Sequence, residues 1–391
     1  MSRLADTVAQ RFEEIFGHAP AGVWAAPGRV NLIGEHTDYN GGLCLPIALP
    51  QRTYAAASAR DDDLVRVASL DFDEQAEVDL GDVAPGKPAG WLGYVAGTIW
   101  ALREQGFVVR GLNLAITSDV PIGAGLSSSA ALEGAAGGAA SGLFGLGLLS
   151  TDEARTTLVD ACRRAENYIV GAPTGGLDQT ASLRTTAAHA LLIDFGDHAR
   201  VRQIPFDVAS HDLRLVVINT QAKHALVDGQ YAARRASCER AASQLGVKLL
   251  GEITPEQLPD ALDRLDDVLR RRVRHVVTEI ARTRQCCDAL EAGDYPEVGR
   301  LFNQSHASLR DDYEVSSPEL DVAVEVAVSA GALGARMTGG GFGGSAIALV
   351  PVDSVDAVTR AVAQAYATHG WRPAEIFAVY AAGPADQVMT G

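Results

Sequence analysis

Hydrophobic positions in the first half of the chain change their spacing several times. Leu4, Val8, Phe12 and Ile15 recur at helical intervals and predict an amphipathic helix that ends near Gly17. Short alternating runs bounded by Gly, Pro and Asp predict strands at residues 23–26, 30–33, 43–47, 53–58, 65–69, 76–80, 112–116 and 188–194. Further helical patterns cover residues 91–102, an apolar stretch that begins near 127, and a segment that starts with a predicted capping box, STDE at 150–153.

The second half alternates helical and strand patterns. The spacing predicts strands at 213–219, 335–338, 345–350 and 375–381, and helices near 228–244, 255–291, 296–309, 317–330 and 355–368. SSPE at 316–319 is a second predicted capping box. This alternation is typical of a compact α+β layer domain. Since 391 residues exceed the usual size of one hydrophobic core, we expect two domains, residues 1–205 and residues 206–391.

Composition and charge narrow the class of protein. With 47% hydrophobic and 21% charged residues, the chain has the composition of a soluble globular protein. Its net charge of −16 disfavours a nucleic-acid or membrane-surface partner, because both are anionic. Five cysteines without a C-x-x-C spacing fit a reducing cytoplasm. The apolar residues 130–149 include Glu133 and many glycines, so we interpret them as a buried helix that does not span a membrane.

The segment PIGAGLSSSAALE, residues 121–133, joins a predicted strand to the start of a predicted helix. Glycines at 123 and 125 allow the backbone to approach a ligand, and a helix start offers unpaired N–H groups to an anion. The serines at 127–129 add hydroxyl donors and a possible Mg²⁺ ligand. The segment therefore predicts a phosphate site, although a serine-capped turn without a ligand has the same composition.

Two further segments are rich in glycine. In APGRVNLIGEHTDYNGG, residues 26–42, the polar side chains are suited to several sugar hydroxyls at once, whereas an Asx-type turn is the plain alternative. MTGGGFGG, residues 337–344, matches G-x-G-x-x-G, but the pattern after it is a strand and not a helix. We therefore interpret it as a glycine hairpin near a ligand's phosphates.

A further candidate site residue, Asp178, follows the helix that carries Glu166. Asp178 stands in GAPTGGLDQ, residues 171–179, where it could act as a general base if a cation such as Arg29 keeps it ionised. An aspartate at a helix start is equally often a structural cap. Tyr231 opens a predicted helix and could be a core aromatic.

These segments resemble the signatures of the GHMP small-molecule kinases, and they occur in the same order along the chain. Residues 28–42 are similar to the sugar-binding signature of the family's galactose-phosphorylating branch, residues 121–131 to the shared phosphate-binding motif, and residues 337–344 to the third motif. The resemblance implies a two-domain α+β fold with the active site in the cleft. Its N-terminal mixed-sheet domain would be like the second domain of ribosomal protein S5, and its C-terminal domain would be ferredoxin-like.

The resemblance further implies transfer of the ATP γ-phosphoryl group to the anomeric hydroxyl of α-D-galactose, with Mg²⁺ as the cofactor. It implies that Asp178 is the base and that Arg29 keeps this carboxylate ionised. The implied sugar ligands are Glu35, His36, Asp38, Gly175 and Tyr231, and Ser128 and Glu166 would hold Mg²⁺. The implied nucleotide site comprises Gly123, Gly125, Leu126, Ser127, Ser128, Ser129, Gly340 and Gly341.

Two other functions stay open on the sequence alone. One is a related sugar 1-kinase acting on N-acetylgalactosamine or arabinose, and the other is a sensor that binds galactose and ATP without turnover. The intact serines at 127–129 favour an enzyme. TGGLDQ at 174–179 departs from the C-G-x-M-D-Q often found in this branch, which bears on details of the pocket. We expect a cytoplasmic monomer.

Overall fold

The computed structural model describes residues 3–222 and 227–391. The helices in its first half are α1 (Arg3–Phe16), α2 (Trp91–Glu104), α3 (Ser128–Leu143), α4 (Asp152–Arg164) and α5 (Leu177–Arg184). Those in its second half are α6 (Val227–Leu245), α7 (Leu258–Asp263), α8 (Asp267–Ala292), α9 (Tyr295–Ser308), α10 (Pro318–Ser329) and α11 (Val355–His369). A π-helical turn, Ala165–Val170, extends α4.

The strands form three sheets. Those before residue 200 are β1 (Gly22–Asn31), β2 (Leu43–Cys44), β3 (Pro46–Ala59), β4 (Leu64–Ser69), β5 (Glu74–Asp79), β6 (Leu112–Ser118) and β7 (His189–Asp194). The others are β8 (Arg200–Pro205), β9 (Leu213–Asn219), β10 (Gly334–Thr338), β11 (Ser345–Pro351), β12 (Glu375–Val379) and β13 (Asp386–Thr390). Helices and mixed sheets thus confirm the α+β prediction.

The largest sheet has the strand order β13-β1-β3-β6-β4-β5. It is mixed, because β4 and β6 are parallel whereas the other neighbours are antiparallel. Helices α2, α3 and α4 cover it over a core that includes Trp24, Ile99 and Leu158. Helix α3 lies so close to β1 that a Cβ at Gly142 would be 2.3 Å from the Trp24 ring. Small residues in α3 therefore bring its N-terminus to the end of β1.

The second half contains an antiparallel sheet of order β10-β11-β9-β12. A smaller sheet, β2-β7-β8, lies under α8. The turn between β10 and β11 carries the third glycine-rich segment. Strand β13 returns from the end of the chain to pair with β1. The division at residues 205 and 206 stays a prediction about domains.

Most predicted elements are confirmed within two or three residues, but several boundaries were wrong. The helix predicted at 255–291 is two helices, because Asp266 caps a new start by accepting a hydrogen bond from Leu269 N. The strands predicted at 23–26 and 30–33 are one strand, β1, whose register shifts between Pro27 and Arg29. The sequence analysis also missed β8 and β13, which are short and partly exposed.

Both predicted capping boxes begin one residue too early. Thr151, and not Ser150, caps α4 by accepting a hydrogen bond from Ala154 N, since the Ser150 hydroxyl donates to Gly147 O. Ser317 likewise caps α10, because the Ser316 hydroxyl is bonded to Asp321. Of residues 130–149, predicted to be one buried helix, residues 130–143 form most of α3 and are largely buried, whereas residues 144–149 lie beyond its end. Among the described residues, no helix combines the length and hydropathy needed to cross a membrane.

Candidate active site

A cleft of about 540 Å³ lies between the glycine-bearing segments 26–42 and 337–344 and the residues around Glu166 and Asp178. Side chains predicted from the first half line it, namely Arg29, Glu35, His36, Asp38, Glu166 and Asp178. Tyr231 and Gly340 line it from the second half, so residues up to about three hundred positions apart in sequence share one cavity. The predicted nucleotide residues at 123–129 do not line it, but the Ser127 hydroxyl is bonded to Asp178 at its edge.

The three segments also contact one another directly. Arg29 N donates to Leu126 O at 3.1 Å, which ties the end of β1 to the segment before α3. The Ser345 hydroxyl donates to Ala124 O at 2.7 Å. A Cβ at Gly339 would lie 3.0 Å from Gly125 O, so this close approach depends on glycine. The phosphate segment is thus held between β1 and the β10–β11 turn.

Asp178 forms a two-point ion pair with Arg29. Arg29 Nε lies 2.9 Å from Oδ1 and Arg29 Nη2 lies 2.9 Å from Oδ2. The Ser127 hydroxyl also donates to Oδ2, at 2.5 Å. Arg29 is buried and bonds Gly125 O through Nη1 at 2.5 Å. Such a bidentate pair fixes the orientation of the carboxylate as well as its charge. Asp178 is the second residue of α5, and its side chain joins the cleft ion pair.

The start of α3 faces this ion pair. Ser127 stands at the N-cap with a left-handed φ of 59°, and its side chain does not cap the helix. Its hydroxyl is engaged by Asp178. The first-turn N–H groups of α3 therefore receive no bond from this side chain and can bind an anion. Gly123 and Gly125, both with positive φ, shape the preceding turn, which Leu126 anchors to the core.

Glu166 lies across from the helix start, on the π-helical turn. Its carboxylate accepts a hydrogen bond from Gln179 Nε2 at 2.5 Å and another from the Ser129 hydroxyl. Burial and the charge of Asp178 raise the pKa of Glu166 to about 7. Ser128 is half-buried on the same turn as Ser129. Within residues 3–222 and 227–391, no three His, Cys, Asp or Glu side chains are grouped to hold a metal on their own.

Glu35 occupies the opposite side of the cleft, where its carboxylate is already bonded. Oε1 accepts hydrogen bonds from Gly339 N at 3.1 Å and from the Thr338 hydroxyl at 3.3 Å. Oε2 forms an ion pair with Arg336, which is fully buried. Burial raises the pKa of Glu35, and Arg336 opposes that shift. Glu35 therefore connects the segment 26–42, to which it belongs, with the glycine-rich segment 337–344.

A second carboxylate, Glu279 of α8, completes this network. It is fully buried and accepts hydrogen bonds from Gly34 N at 3.1 Å, the Ser305 hydroxyl at 2.5 Å and Arg282 Nε at 2.8 Å. Burial would raise its pKa, but Arg282, His275 and Arg336 lower it to about 2. The sequence analysis missed Glu279 and Arg336. The signal for Arg336 was a lone charge within a short apolar strand, whereas Glu279 lies in a helix with many charges and had no such signal.

His36, Asp38 and Tyr231 lie beside one another. His36 Nδ1 is 2.8 Å from the Tyr39 hydroxyl, and its ring centroid is 5.4 Å from that of Tyr231. Burial lowers the pKa of His36 to about 3, so its ring is neutral at neutral pH. Burial and the charge of Asp178 raise the pKa of Asp38 to about 6. Together they present one carboxyl, one imidazole and one phenol to the cleft.

Four predicted glycines lie outside the cleft lining: Gly123 and Gly125 belong to the turn before α3, whereas Gly175 and Gly341 lie behind the cleft. A Cβ at Gly175 would be 2.2 Å from Asp38 Oδ2, so the absence of a side chain there makes room for Asp38. A Cβ at Gly341 would be 2.2 Å from Val315 O, which packs this glycine against the chain before α10. Both glycines support the cleft from behind.

Three family models match the chain. They are the galactokinase galactose-binding signature at residues 10–59, the GHMP kinases N terminal domain at residues 93–185 and the GHMP kinases C terminal at residues 287–368. A galactokinase of Streptomyces coelicolor is 50% identical over 384 residues, which cover 97% of this chain and 98% of that protein. A galactokinase of Mycobacterium tuberculosis is 46% identical over 92% of this chain and 97% of its own length.

Solved structures agree with these sequence relatives. The crystal structure of Lactococcus lactis galactokinase complexed with galactose matches with a TM-score of 0.92 and 35% identity, covering 98% of this chain and 100% of that one. A mevalonate kinase of Methanococcus jannaschii matches with a TM-score of 0.62 at 18% identity, covering 92% of this chain and 98% of that one. The second match shows a shared fold.

Proposed function

The chain belongs to the galactokinase family of the GHMP kinases, and on this premise we propose that its cleft phosphorylates the C1 hydroxyl of α-D-galactose. The γ-phosphoryl group of ATP would be transferred, giving galactose 1-phosphate and ADP. The observation that supports this most strongly is the Arg29–Asp178 ion pair between the sugar loop and the start of α3. The pair places a fixed carboxylate beside a helix start that can bind an anion.

Asp178 is the proposed base. A general base must reach the hydroxyl proton within hydrogen-bond distance, and a carboxylate on the cleft surface meets this condition. Arg29 fixes the orientation of the Asp178 carboxylate through two hydrogen bonds and would offset charge on the transferring group. Phosphoryl transfer depends mainly on positioning and charge neutralisation, so this pair and the helix start supply much of what the reaction needs.

We assign sugar recognition to Asp38, His36 and Tyr231. Asp38 would accept hydrogen bonds from sugar hydroxyls. Nε2 of His36 is buried and has no hydrogen-bond partner of normal geometry among the described residues, so a sugar hydroxyl would satisfy it. Glu35 joins this set through Oε2, which accepts one bond from Arg336 and has a further lone pair, whereas Oε1 already accepts two. Gly175 contributes by leaving room for Asp38.

The nucleotide phosphates are proposed to lie against the start of α3. The binding groups would be the backbone of Gly123, Gly125 and Leu126, the serines at 127–129, and Gly340 with Gly341 from the third segment. Ser128 and Glu166 would hold Mg²⁺, which when bound neutralises charge on the phosphates. These oxygen donors fit a hard cation, and a small protein donor set fits Mg²⁺ because it usually retains phosphate and water ligands.

An ADP-release assay across a panel of free sugars, with and without Mg²⁺, tests this function. We expect turnover with galactose and Mg²⁺ and little turnover without the metal. Preferential phosphorylation of N-acetylgalactosamine or arabinose would overturn the sugar assignment. Galactose binding by calorimetry without ADP release from any sugar would indicate a sensor. The cytoplasmic location and the monomeric state stay predictions, and light scattering tests the second.

A further inference from the structure

Glu133 is a buried acidic residue in a helix made otherwise of small and apolar residues. It lies in α3, one turn after the serines, and its solvent exposure is 0%. Its neighbours along the helix are alanine, leucine and glycine. Burying a carboxyl in such surroundings costs free energy unless a polar group forms a hydrogen bond with it. Its contacts are therefore informative.

Its partner is Gln179, the residue after the proposed base. Gln179 Nε2 donates to Glu133 Oε2 at 3.0 Å and to Glu166 Oε2 at 2.5 Å. The amide nitrogen thus uses both of its hydrogens to join two carboxyl groups. Gln179 is also fully buried, so water does not compete for these bonds. The carboxyl of Glu166 is held by a chain of hydrogen bonds that ends at Glu133.

Glu133 and Gln179 each have a second acceptor oxygen that is not used. Glu133 Oε1 and Gln179 Oε1 are buried and make no hydrogen bond within the described part of the chain. A proton on Glu133 would turn one of these acceptors into a donor. Burial and the nearby Glu166 raise the pKa of Glu133 well above its ordinary value, in agreement with a neutral acid.

Adjacent residues of α5 therefore reach two different groups. Asp178 bonds Arg29 and Ser127, whereas Gln179 bonds Glu133 and Glu166. We propose that Glu133 and Gln179 are positioning residues that fix the carboxyl of Glu166 for metal–nucleotide binding. This inference rests on the proposed function, because it assigns Glu166 to the Mg²⁺ site.

The decisive variant is Glu133→Leu, which keeps a buried side chain of similar size and removes the acceptor for Gln179. Loss of such an outer partner typically weakens metal affinity by about 10–100-fold. We expect the half-saturating Mg²⁺ concentration for turnover to rise by that factor. By calorimetry, the affinity for Mg²⁺·ADP should fall likewise, whereas metal-free ADP and galactose should bind as they do to the wild type.

Two further variants separate positioning from packing. Glu133→Gln keeps the shape and neutrality of a protonated acid, so it should restore most of the Mg²⁺·ADP affinity that Glu133→Leu loses. Ser141→Ala is the matched control, because Ser141 is a buried polar residue of the same helix that bonds Leu148 N far from Glu166. It should lower the melting temperature without changing Mg²⁺ dependence.

Each outcome bears on a separate claim. If the wild type turns over galactose with Mg²⁺ but Glu133→Leu binds Mg²⁺·ADP equally well, the positioning role is wrong. The same conclusion follows if Glu133→Gln is as impaired as Glu133→Leu. If Glu133→Leu does not fold, Gln179→Met gives the same test from the other side of the bond. Wild-type protein without any sugar-dependent ADP release would instead refute the proposed function.

Discussion

Buried carboxyl groups lie on both sides of the cleft, and the two sets differ in how their charge is compensated. The sugar-side cluster, Glu35 and Glu279, is paired with Arg336 and Arg282. The phosphate-side cluster, Glu133, Glu166 and Asp178, is accompanied by one ion-paired arginine, Arg29, among the described residues. The first cluster has balanced charge, whereas the second has more carboxyl groups than cations.

The pKa values follow this difference. Arginines and His275 outweigh burial at Glu279 and lower its pKa to about 2, whereas burial and Asp178 raise that of Glu166 to about 7. A balanced buried cluster can serve structure, since each charge has a partner. A cluster with more carboxyl groups than cations favours binding a cation from outside. The contrast thus points to the phosphate side as the place where a metal and a nucleotide would act.

Removing the base should have the largest effect. In Asp178→Asn the amide can still bond Arg29 but cannot accept the sugar proton, so we expect kcat to fall by about 10²–10⁴-fold. Galactose binding should remain measurable by calorimetry. Asp311→Asn is the matched control, because Asp311 is exposed and pairs with its neighbour Arg310, and its kcat should not change. An Asp178→Asn enzyme with wild-type kcat would remove Asp178 from the base role.

Breaking the sugar-side cluster should act mainly on stability. Arg336→Met leaves Glu35 without its buried cation, and removing one partner of a buried pair typically costs about 3–5 kcal/mol of unfolding free energy. Urea unfolding measures this change. Arg300→Met, which removes an exposed arginine paired with Glu297, should leave the urea midpoint unchanged. Equal midpoints for both variants would show that the buried network does not stabilise the fold.

The smallest expected effect is the change of unfolding free energy with pH that arises from Glu166 on the phosphate side. The folded pKa of Glu166, about 7, lies above the unfolded value of 4.5, so folding favours its protonated form. Its contribution to stability is present below pH 4.5 and is lost as the pH rises through about 7. We expect the titration of Glu166 to lower the unfolding free energy of the ligand-free wild type by about 2–3 kcal/mol between pH 5 and 8, relative to Glu166→Gln.

Glu166→Gln is the control for that measurement, because an amide does not titrate. The difference between the two proteins isolates Glu166 from Asp38 and His36, whose shifted pKa values also affect stability between pH 5 and 8. Glu279 does not interfere, since its pKa of about 2 places its titration below this window. A difference between wild type and Glu166→Gln that stays constant or rises from pH 5 to 8 would contradict the raised pKa.

The sequence was informative where short-range pattern controls structure. Helical spacing predicted α1 and α10, alternation predicted β6 and β9, and glycine-rich segments located the phosphate and sugar loops. Arg29, Asp38 and Asp178, predicted from glycine-rich segments, line the cleft, as does Glu166, which only the family resemblance indicated. Errors of one residue at Ser150 and Ser316 arose because each hydroxyl bonds a group outside the predicted cap.

What local pattern determined is the set of segments and the kinds of side chain that each offers. Only the tertiary structure decided which carboxyl pairs with which cation. Glu35 pairs with Arg336, 301 positions away, and Asp178 pairs with Arg29, 149 positions away. Glu133, Gln179 and Glu279 have no local signature beyond a polar side chain in apolar surroundings. Their roles come from packing, which removes water and leaves each buried polar group dependent on the partner that the fold brings to it.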